Sequence, residues 1–370
     1  MQQTSLNKQL VLIGGGHSNV QVLRKLCMHE YKGLNVILIS ENYGAIYSGM
    51  TPGYIEKLYS LDEITIDLQR LCFNAGATFI KDKVVSLDEN NQILYLKDHA
   101  SIPFDILSIN SGSISNKQTI HLEKDSKVIA VKPIGSLVSK LEKIDEVIEK
   151  SSQRKISIIG GGIAAFELSF ALHKRYYGKI SINIISKQPL VEKNLNTTST
   201  NKIKKIAKKM NIKLISKQAI SINNSEIKVD DEEAIHSDIT LISTGASLPE
   251  WLVKSNLEID ENFIAVNQQL QSLNFKNIFV SGDAASSQNS KRPKSGVMAV
   301  RQGEILKDNL LLFLQNKNLK KFKPQKNWLY LVGTYKNSAV LNYFNFSFEG
   351  KWCWALKKII DLNFIKKFSF

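Results

Sequence analysis

Two glycine-rich turns, an acid at a strand end and a Gly-Asp pair are the residues here whose types and spacing best suit chemistry. The first turn lies in Leu10-Val-Leu-Ile-Gly-Gly-Gly-His-Ser-Asn19, ahead of Val20-Gln-Val-Leu-Arg-Lys-Leu26. Four apolar residues read as a buried strand, the glycines as a tight turn, and the next stretch has helical spacing. A helix entered through glycines aims free N–H groups and its positive dipole end at what precedes it, which suits a pyrophosphate. A second strand, Asn35-Val-Ile-Leu-Ile-Ser-Glu41, ends in an acid placed to accept hydrogen bonds from a ribose. Asn19 stands where G-x-G-x-x-G has its third glycine, which loosens the expected helix–strand packing.

The pattern returns in Lys155-Ile-Ser-Ile-Ile-Gly-Gly-Gly-Ile-Ala-Ala-Phe-Glu167, with Ala165 as the small third residue and Ile180-Ser-Ile-Asn-Ile-Ile-Ser186 as the next strand. One such turn can be merely structural. Two, each in a strand–turn–helix–strand context, predict two dinucleotide sites, at Gly14 and Gly16 and at Gly160 and Gly162. Between them, Thr78-Phe-Ile, Lys83–Leu87, Ile93–Leu96 and Phe104–Ile109 read as a meander ending in a buried strand. That strand stops at Asn110-Ser-Gly-Ser113, which contains Ser111 and Gly112. Similar stops follow at Ile239–Ala246, which holds Gly245, and at Asn277–Ser281, which leads into Gly282-Asp283. Asp283 suits a ribityl or ribose hydroxyl, or a helix N-cap, and the two roles can coexist.

At 370 residues the chain predicts about two domains. Unbroken apolar runs reach only five residues, as at Leu310–Leu314, against the roughly 20 needed to cross a bilayer, so a transmembrane protein is not expected. Met1–Gln9 is polar and lacks a secretory pattern, which leads us to expect a cytoplasmic protein. The 49 basic and 34 acidic residues give a net charge of +15, spread along a Lys-, Asn- and Ile-rich chain with no nucleic-acid motif. Cys27, Cys72 and Cys353 lie far apart, and the six histidines show no ligand spacing, so neither a disulfide framework nor a metal site is expected.

Taken in order, these features resemble the two-dinucleotide flavoproteins of the pyridine nucleotide-disulfide oxidoreductase superfamily. Gly14-Gly-Gly-His17, Tyr47-Ser-Gly-Met-Thr-Pro-Gly53, Ile66-Asp-Leu68 and Gly296-Val-Met-Ala-Val-Arg-Gln-Gly303 resemble its type II NADH dehydrogenase-like subfamily, some of whose members are fused ahead of selenophosphate synthetase. The resemblance implies FAD at the first site and NADH or NADPH at the second. It implies that Gly14, Gly16 and Glu41 hold the ADP half of FAD, that Val84 touches adenine, and that Gly282 and Asp283 hold the ribityl–phosphate end. Tyr47, Ser48 and the segment to Pro52 would border the isoalloxazine, and His17, directly after the first glycine turn, would lie close to pyrophosphate or flavin in a hydrogen-bonding role. The helix entered at Ser295-Gly296-Val297 would aim its N-terminus at the flavin, with Lys294 or Arg301 as solvated or structural cations. Glu167 would sit near the nicotinamide or face solvent.

The superfamily's disulfide reductases carry a redox Cys pair beside the flavin. Tyr43–Pro52, the matching region, has none, so electrons must leave the flavin directly, and Cys27 reads as a small buried hydrophobe. The second ribose strand ends in Ser186-Lys187 where an acid would favour NAD; a lysine there suits the 2′-phosphate of NADP, while the type II resemblance leans to NADH.

In the tail, Trp328–Gly333 and Ala339–Phe348 read as a hairpin. A helix follows, with Trp352, Ala355, Leu356 and Ile359 on one face and Lys357, Lys358 and Asp361 opposite. Residues 351–370 carry five Lys against one Asp, which fits an interfacial anchor on anionic lipid or a helix packed on the body or a dimer partner.

We therefore expect an α/β protein with two Rossmann-like (glutathione-reductase-type) dinucleotide-binding domains. Residues 1–124 and 248–324 would form the FAD domain, 125–247 an inserted NAD(P)H domain, and 325–370 a C-terminal hairpin and helix. The expected function is an FAD-dependent NAD(P)H dehydrogenase passing electrons to a quinone-like acceptor, peripheral on the cytoplasmic face of a membrane. The alternatives are a soluble reductase of a small molecule or protein, selenium-linked or not, and a non-turnover flavoprotein sensor. A homodimer stays open.

Overall fold

A computed structural model describes residues 8–29, 31–116, 120–123, 126, 128–150, 153–187, 195–230, 233–287, 294, 296–325 and 327–369. Ser295, one of the expected helix-entry residues, lies outside them.

Two five-stranded parallel sheets of the same internal order carry the fold. In the first, Ile278–Val280, Ile106–Ile109, Lys8–Ile13, Leu34–Ser40 and Thr78–Lys81 lie side by side. In the second, the order is Val128–Ala130, Ile239–Ile242, Arg154–Ile159, Ile180–Ile185 and Lys213–Ile215. Their central strands are apolar runs because helices or other layers cover both faces. Leu10–Ile13, Ile106–Ile109, Ile239–Ile242 and Ile278–Val280 are buried throughout.

The strand at Thr78 departs from the expected meander. It follows the helix Leu68–Asn74 and joins the first sheet in parallel, with Ile39 opposite Ile80. A helical crossover leads naturally to a parallel neighbour, which a local turn-and-alternation reading does not detect. The meander is instead Val84–Asp88, Ile93–Leu96 and Ile102–Pro103.

The tail also differs. Ala339–Phe348 is not one strand: Ala339–Tyr343 and Phe346–Gly350 pair across a two-residue turn, with Phe344 at φ 52°, and Leu329–Gly333 completes three antiparallel strands. Tyr343-Phe344-Asn345-Phe346 carries no glycine or proline to mark that turn. This small sheet packs Val332 and Val340 into the core of the second Rossmann sheet beside Phe166. The helix Lys351–Lys366 and the turn after it put Phe364 and Phe368 into the core of the first. At about 1.5–3 kcal/mol for each fully buried valine or phenylalanine, the tail is anchored to both halves.

Candidate functional site

The first glycine turn is shaped by close backbone approach. Gly14 has φ +83°, and a Cβ there would lie 2.6 Å from the Cα of Ser111; a Cβ on Gly16 would strike the side chain of Asn110. Asn110 ends the strand Ile106–Ile109 and ties three segments together. Its Oδ1 accepts from the Ser18 N–H at 2.9 Å, and its Nδ2 donates to the Ser281 carbonyl at 3.0 Å. Asn19, the departure from the glycine pattern, is fully buried. Its Nδ2 donates to the Gly14 carbonyl at 2.9 Å and its Oδ1 accepts from Ser108 Oγ at 2.7 Å. Hydrogen bonds thus hold helix to strand where glycine would have allowed bare contact. Ser18 and Gln21 donate to the carbonyls of Ala299 and Val300, pinning the helix Asn19–Leu26 to the helix Gly296–Leu314.

The second turn repeats this logic. Gly160 has φ +127°, and a Cβ on it would run into the Ser243 carbonyl. Gly162 caps the helix Ile163–Arg175 in extended backbone, and Ala165 is fully buried beneath it.

At the opposite end, Gly282 (φ +70°) and Asp283 sit in a single 3-10 turn after the strand Ile278–Val280. Among the described residues the carboxylate caps no helix: Asp283 Oδ2 accepts from Lys132 Nζ at 2.6 Å and from Ser113 Oγ at 3.1 Å. Gly296, first residue of its helix, lies where a Cβ would be 3.0 Å from Ser48 Oγ and 3.3 Å from the His17 ring. Burial pushes the His17 pKa down to about 4, against the opposing pull of Asp283, so the ring is neutral at pH 7. Lys294 is drawn in rather than solvated, its ammonium 3.6 Å from the centre of the Phe263 ring.

The C-terminal helix closes the site with its charged side, which packs on the body. Lys357 Nζ donates to the Gly49 carbonyl and to Asp361 Oδ2, both at 2.7 Å, and the Tyr47 hydroxyl donates to Asp361 Oδ1 at 3.0 Å. The Tyr47 and Phe364 rings lie tilted against each other with centroids 4.8 Å apart, and His17 packs against both. The apolar face points outward, with Trp352 54% and Ile359 57% exposed. The charged side is inside because Tyr47 and Gly49 offer it partners. Glu167 accepts from the Gly333 N–H at 2.7 Å; burial raises its pKa, opposed by the nearby Lys357.

All these elements face one cleft of about 1480 Å³, larger than the roughly 300–1,000 Å³ of ordinary small-molecule pockets. Gly14, Gly16, His17, Glu41, Tyr47, Ser48, Val84, Ser111, Gly112, Gly160, Gly162, Glu167, Ser186, Lys187, Gly245, Gly282, Asp283, Gly296 and Val297 line it; Ala165 does not. The residues fit a pair of dinucleotides. Ser111 Oγ is buried without a hydrogen-bond partner, and a Cβ on Gly112 or Gly245 would meet nothing within 4 Å. The turns are therefore closed on the protein side and open on the cleft side.

The cysteines stay out of this chemistry. Cys353 is fully buried; Cys27 is half-buried, not wholly so as expected; burial pushes the Cys72 thiol up to about 12. No group of three or more metal-ligating side chains exists among the described residues. Sequence reasoning missed Lys132, Asn110 and the inward pair Lys357–Asp361. Lys132 had a faint signal, a base before a proline just past a strand end.

Residues 8–303 match the family model of pyridine nucleotide-disulphide oxidoreductases. Ferroptosis suppressor protein 1 of Mus musculus is 21% identical over 85% of this chain and 83% of its own length. Among solved structures, NDH2 from Plasmodium falciparum in complex with NADH superposes with a TM-score of 0.79 at 14% identity, covering 97% of this chain and 98% of that one. The sulfide:quinone oxidoreductase of Aquifex aeolicus gives 0.77 at 18% identity, covering 98% and 91%.

Proposed function

We propose, from the premise that this chain belongs to the pyridine nucleotide-disulphide oxidoreductase family and is an FAD-dependent NAD(P)H oxidoreductase, that its electron acceptor is a quinone met at a membrane surface. Bound FAD supplies hydride acceptance from the nicotinamide and electron delivery onward. In this reading Gly14, Gly16, Glu41 and Val84 hold the adenosine half of FAD, and Gly282 and Asp283 its ribityl–phosphate end. Tyr47, Ser48, His17 and the helix starting at Gly296 surround the flavin ring. Gly160, Gly162, Ser186, Lys187 and Gly245 hold the nicotinamide dinucleotide, with Glu167 beside the nicotinamide.

The chain's own groups then have definite tasks. Lys132 fixes the direction of the Asp283 carboxylate through its 2.6 Å ion pair. Burial and the neighbouring Asp361 raise the Tyr47 pKa, so its phenol keeps its proton and acts as a donor. Glu167, raised by burial, holds a proton more readily than an exposed glutamate, which suits an acceptor that takes up protons with its electrons. The C-terminal helix excludes water above Tyr47 and Gly49. No thiol pair takes part.

The observation that carries the quinone reading is the two-sidedness of the tail. Its inner side reaches Tyr47 with Lys357 and Asp361, while its outer side exposes Phe344, Phe346, Phe348, Trp352 and Ile359 together with Lys351 and Lys358. Phe346 stacks on Phe348, which meets Trp352 edge-on at 5.6 Å. Aromatics interleaved with lysines suit the interface of an anionic bilayer. Among the described residues no helix is long and apolar enough to cross a membrane.

Co-sedimentation with phosphatidylglycerol-containing vesicles tests this. We expect salt-sensitive binding that the triple substitution Phe346→Ser, Trp352→Ser and Ile359→Ser weakens by about 10-fold or more, since each side chain buries apolar area worth on the order of 1 kcal/mol or more. Equal binding by both proteins would remove the membrane from the reading.

A further inference from the structure

The two Rossmann sheets can be laid over one another by their own hydrogen bonds. The Gly14 N–H donates to the Ile39 carbonyl at 2.8 Å, and the Gly160 N–H donates to the Ile185 carbonyl at 2.9 Å. Ile39 pairs with Ile80 on the next strand, and Ile185 with Ile215. Two residues beyond each of these four isoleucines, the strands have delivered their side chains to the rim of the cleft. In the first sheet those residues are Glu41 and Asp82; in the second they are Lys187 and Lys217. Each lysine follows a serine, in the repeated triplet Ile185-Ser186-Lys187 and Ile215-Ser216-Lys217.

The carboxyl end of the second strand is where a Rossmann fold meets the 2′ position of the adenosine ribose. An acid there accepts from a 2′-hydroxyl and repels a 2′-phosphate, whereas a cation nearby does the reverse. The acid pair therefore suits an adenosine with a free 2′-hydroxyl, and the lysine pair suits one carrying a 2′-phosphate. Asp82 is committed internally, its carboxylate accepting from the Lys83, Asp98 and His99 N–H groups and from the His99 ring, which leaves Glu41 as the first site's ribose acid. In the second site Lys187 is exposed and makes no ion pair among the described residues. Lys217 is held at the rim by Glu233 at 2.8 Å, a carboxylate 67% exposed and able to give way to a stronger anion.

We propose that Ser186, Lys187 and Lys217 form a 2′-phosphate cradle and that this protein oxidises NADPH in preference to NADH. The proposal rests on the second glycine turn being the nicotinamide dinucleotide site. Charge-assisted contacts to phosphate, lost with NADH, set the expected preference in kcat/KM at about 10- to 100-fold.

The test uses the FAD-loaded holoenzyme with two readouts. Steady-state kcat/KM is compared for NADPH and NADH, and adenosine 2′,5′-bisphosphate is compared with 5′-AMP as a competitor. We expect the bisphosphate to compete at least about 10-fold better, Lys187→Glu to swing the NADPH/NADH ratio toward NADH by about 10-fold or more, and Lys187→Arg to restore it. Lys217→Ser should shift the ratio in the same direction by less, because Glu233 already shares that charge. Equal competition by the two adenosines, or a Lys187→Glu effect that falls on both dinucleotides alike, overturns the cradle. Preferential binding of the bisphosphate without flavin bleaching by either dinucleotide would uphold the cradle and fault the hydride-transfer reading instead.

Discussion

Gly160→Val is expected to abolish reduction of the flavin by nicotinamide while leaving FAD in place. Gly160 holds φ +127°, where any L side chain is strained, and its Cβ would collide with the Ser243 carbonyl at the end of the strand Ile239–Ile242. Strain of this kind costs about 1–3 kcal/mol, and the turn can relieve it only by moving the N–H groups that would hold a pyrophosphate. The core of the sheet beneath, built on Ile156, Ile158, Ile182, Ile184 and Leu241, does not depend on this turn, so the variant should fold and remain yellow. Stopped-flow bleaching by NAD(P)H should slow by about 100-fold or more at subsaturating nucleotide, as expected when a reactant is misplaced by an ångström. An unchanged bleaching rate with an intact visible spectrum would mean that the second turn is structural only.

Asp361→Ala should both destabilise the protein and slow delivery of electrons to a quinone. The substitution leaves the Lys357 ammonium, whose side chain is 15% exposed, without its 2.7 Å partner, and leaves the Tyr47 hydroxyl without an acceptor. Burial alone would lower the Lys357 pKa, but the carboxylates of Asp361 and Glu167 outweigh it and hold the group charged. Breaking such a pair on one side costs about 2–3 kcal/mol, slightly below the range for fully buried pairs because some solvent reaches both groups. Asp361→Asn keeps an oxygen for Tyr47 and should lose less. Because the pair seats the helix over Gly49, reoxidation of the reduced protein by a soluble quinone should slow by about 10-fold, while bleaching by NAD(P)H changes little. Loss of both half-reactions together in a protein that melts like the parent would show that the helix serves the nicotinamide side instead.

Much of the fold could be read from residues because its key signals are local. A strand, a glycine turn and a helix lie within about 15 consecutive residues, and Gly14 and Gly160 are needed for their positive φ and close backbone approach. Glu41 and Asp283 could likewise be found at strand ends. What escaped depends on partners distant in sequence. The strand at Thr78 looks like the meander that follows it, and only its pairing with Leu34–Ser40 reveals its place. Periodicity separates the C-terminal helix into a face with Trp352 and Ile359 and one with Lys357 and Asp361, but it does not say which of them packs on the body. Lys357 and Asp361 turn inward because Gly49, Tyr47 and Glu167, about 190 to 314 residues earlier, offer them charge and hydrogen bonds. Lys132 is legible only once Asp283 is seen beside it.

The central claim is a two-step passage of electrons from NAD(P)H through FAD to a quinone without a thiol relay. Anaerobic titration of the FAD-loaded protein with NADPH and, separately, NADH, followed by addition of a soluble quinone, tests it most directly. The flavin's visible band should bleach with the nucleotide and recover when the quinone is added, with thiol-blocking reagent making no difference. Bleaching that no quinone reverses would contradict the quinone step, and absence of bleaching with both nucleotides would contradict the nicotinamide step on which everything else depends.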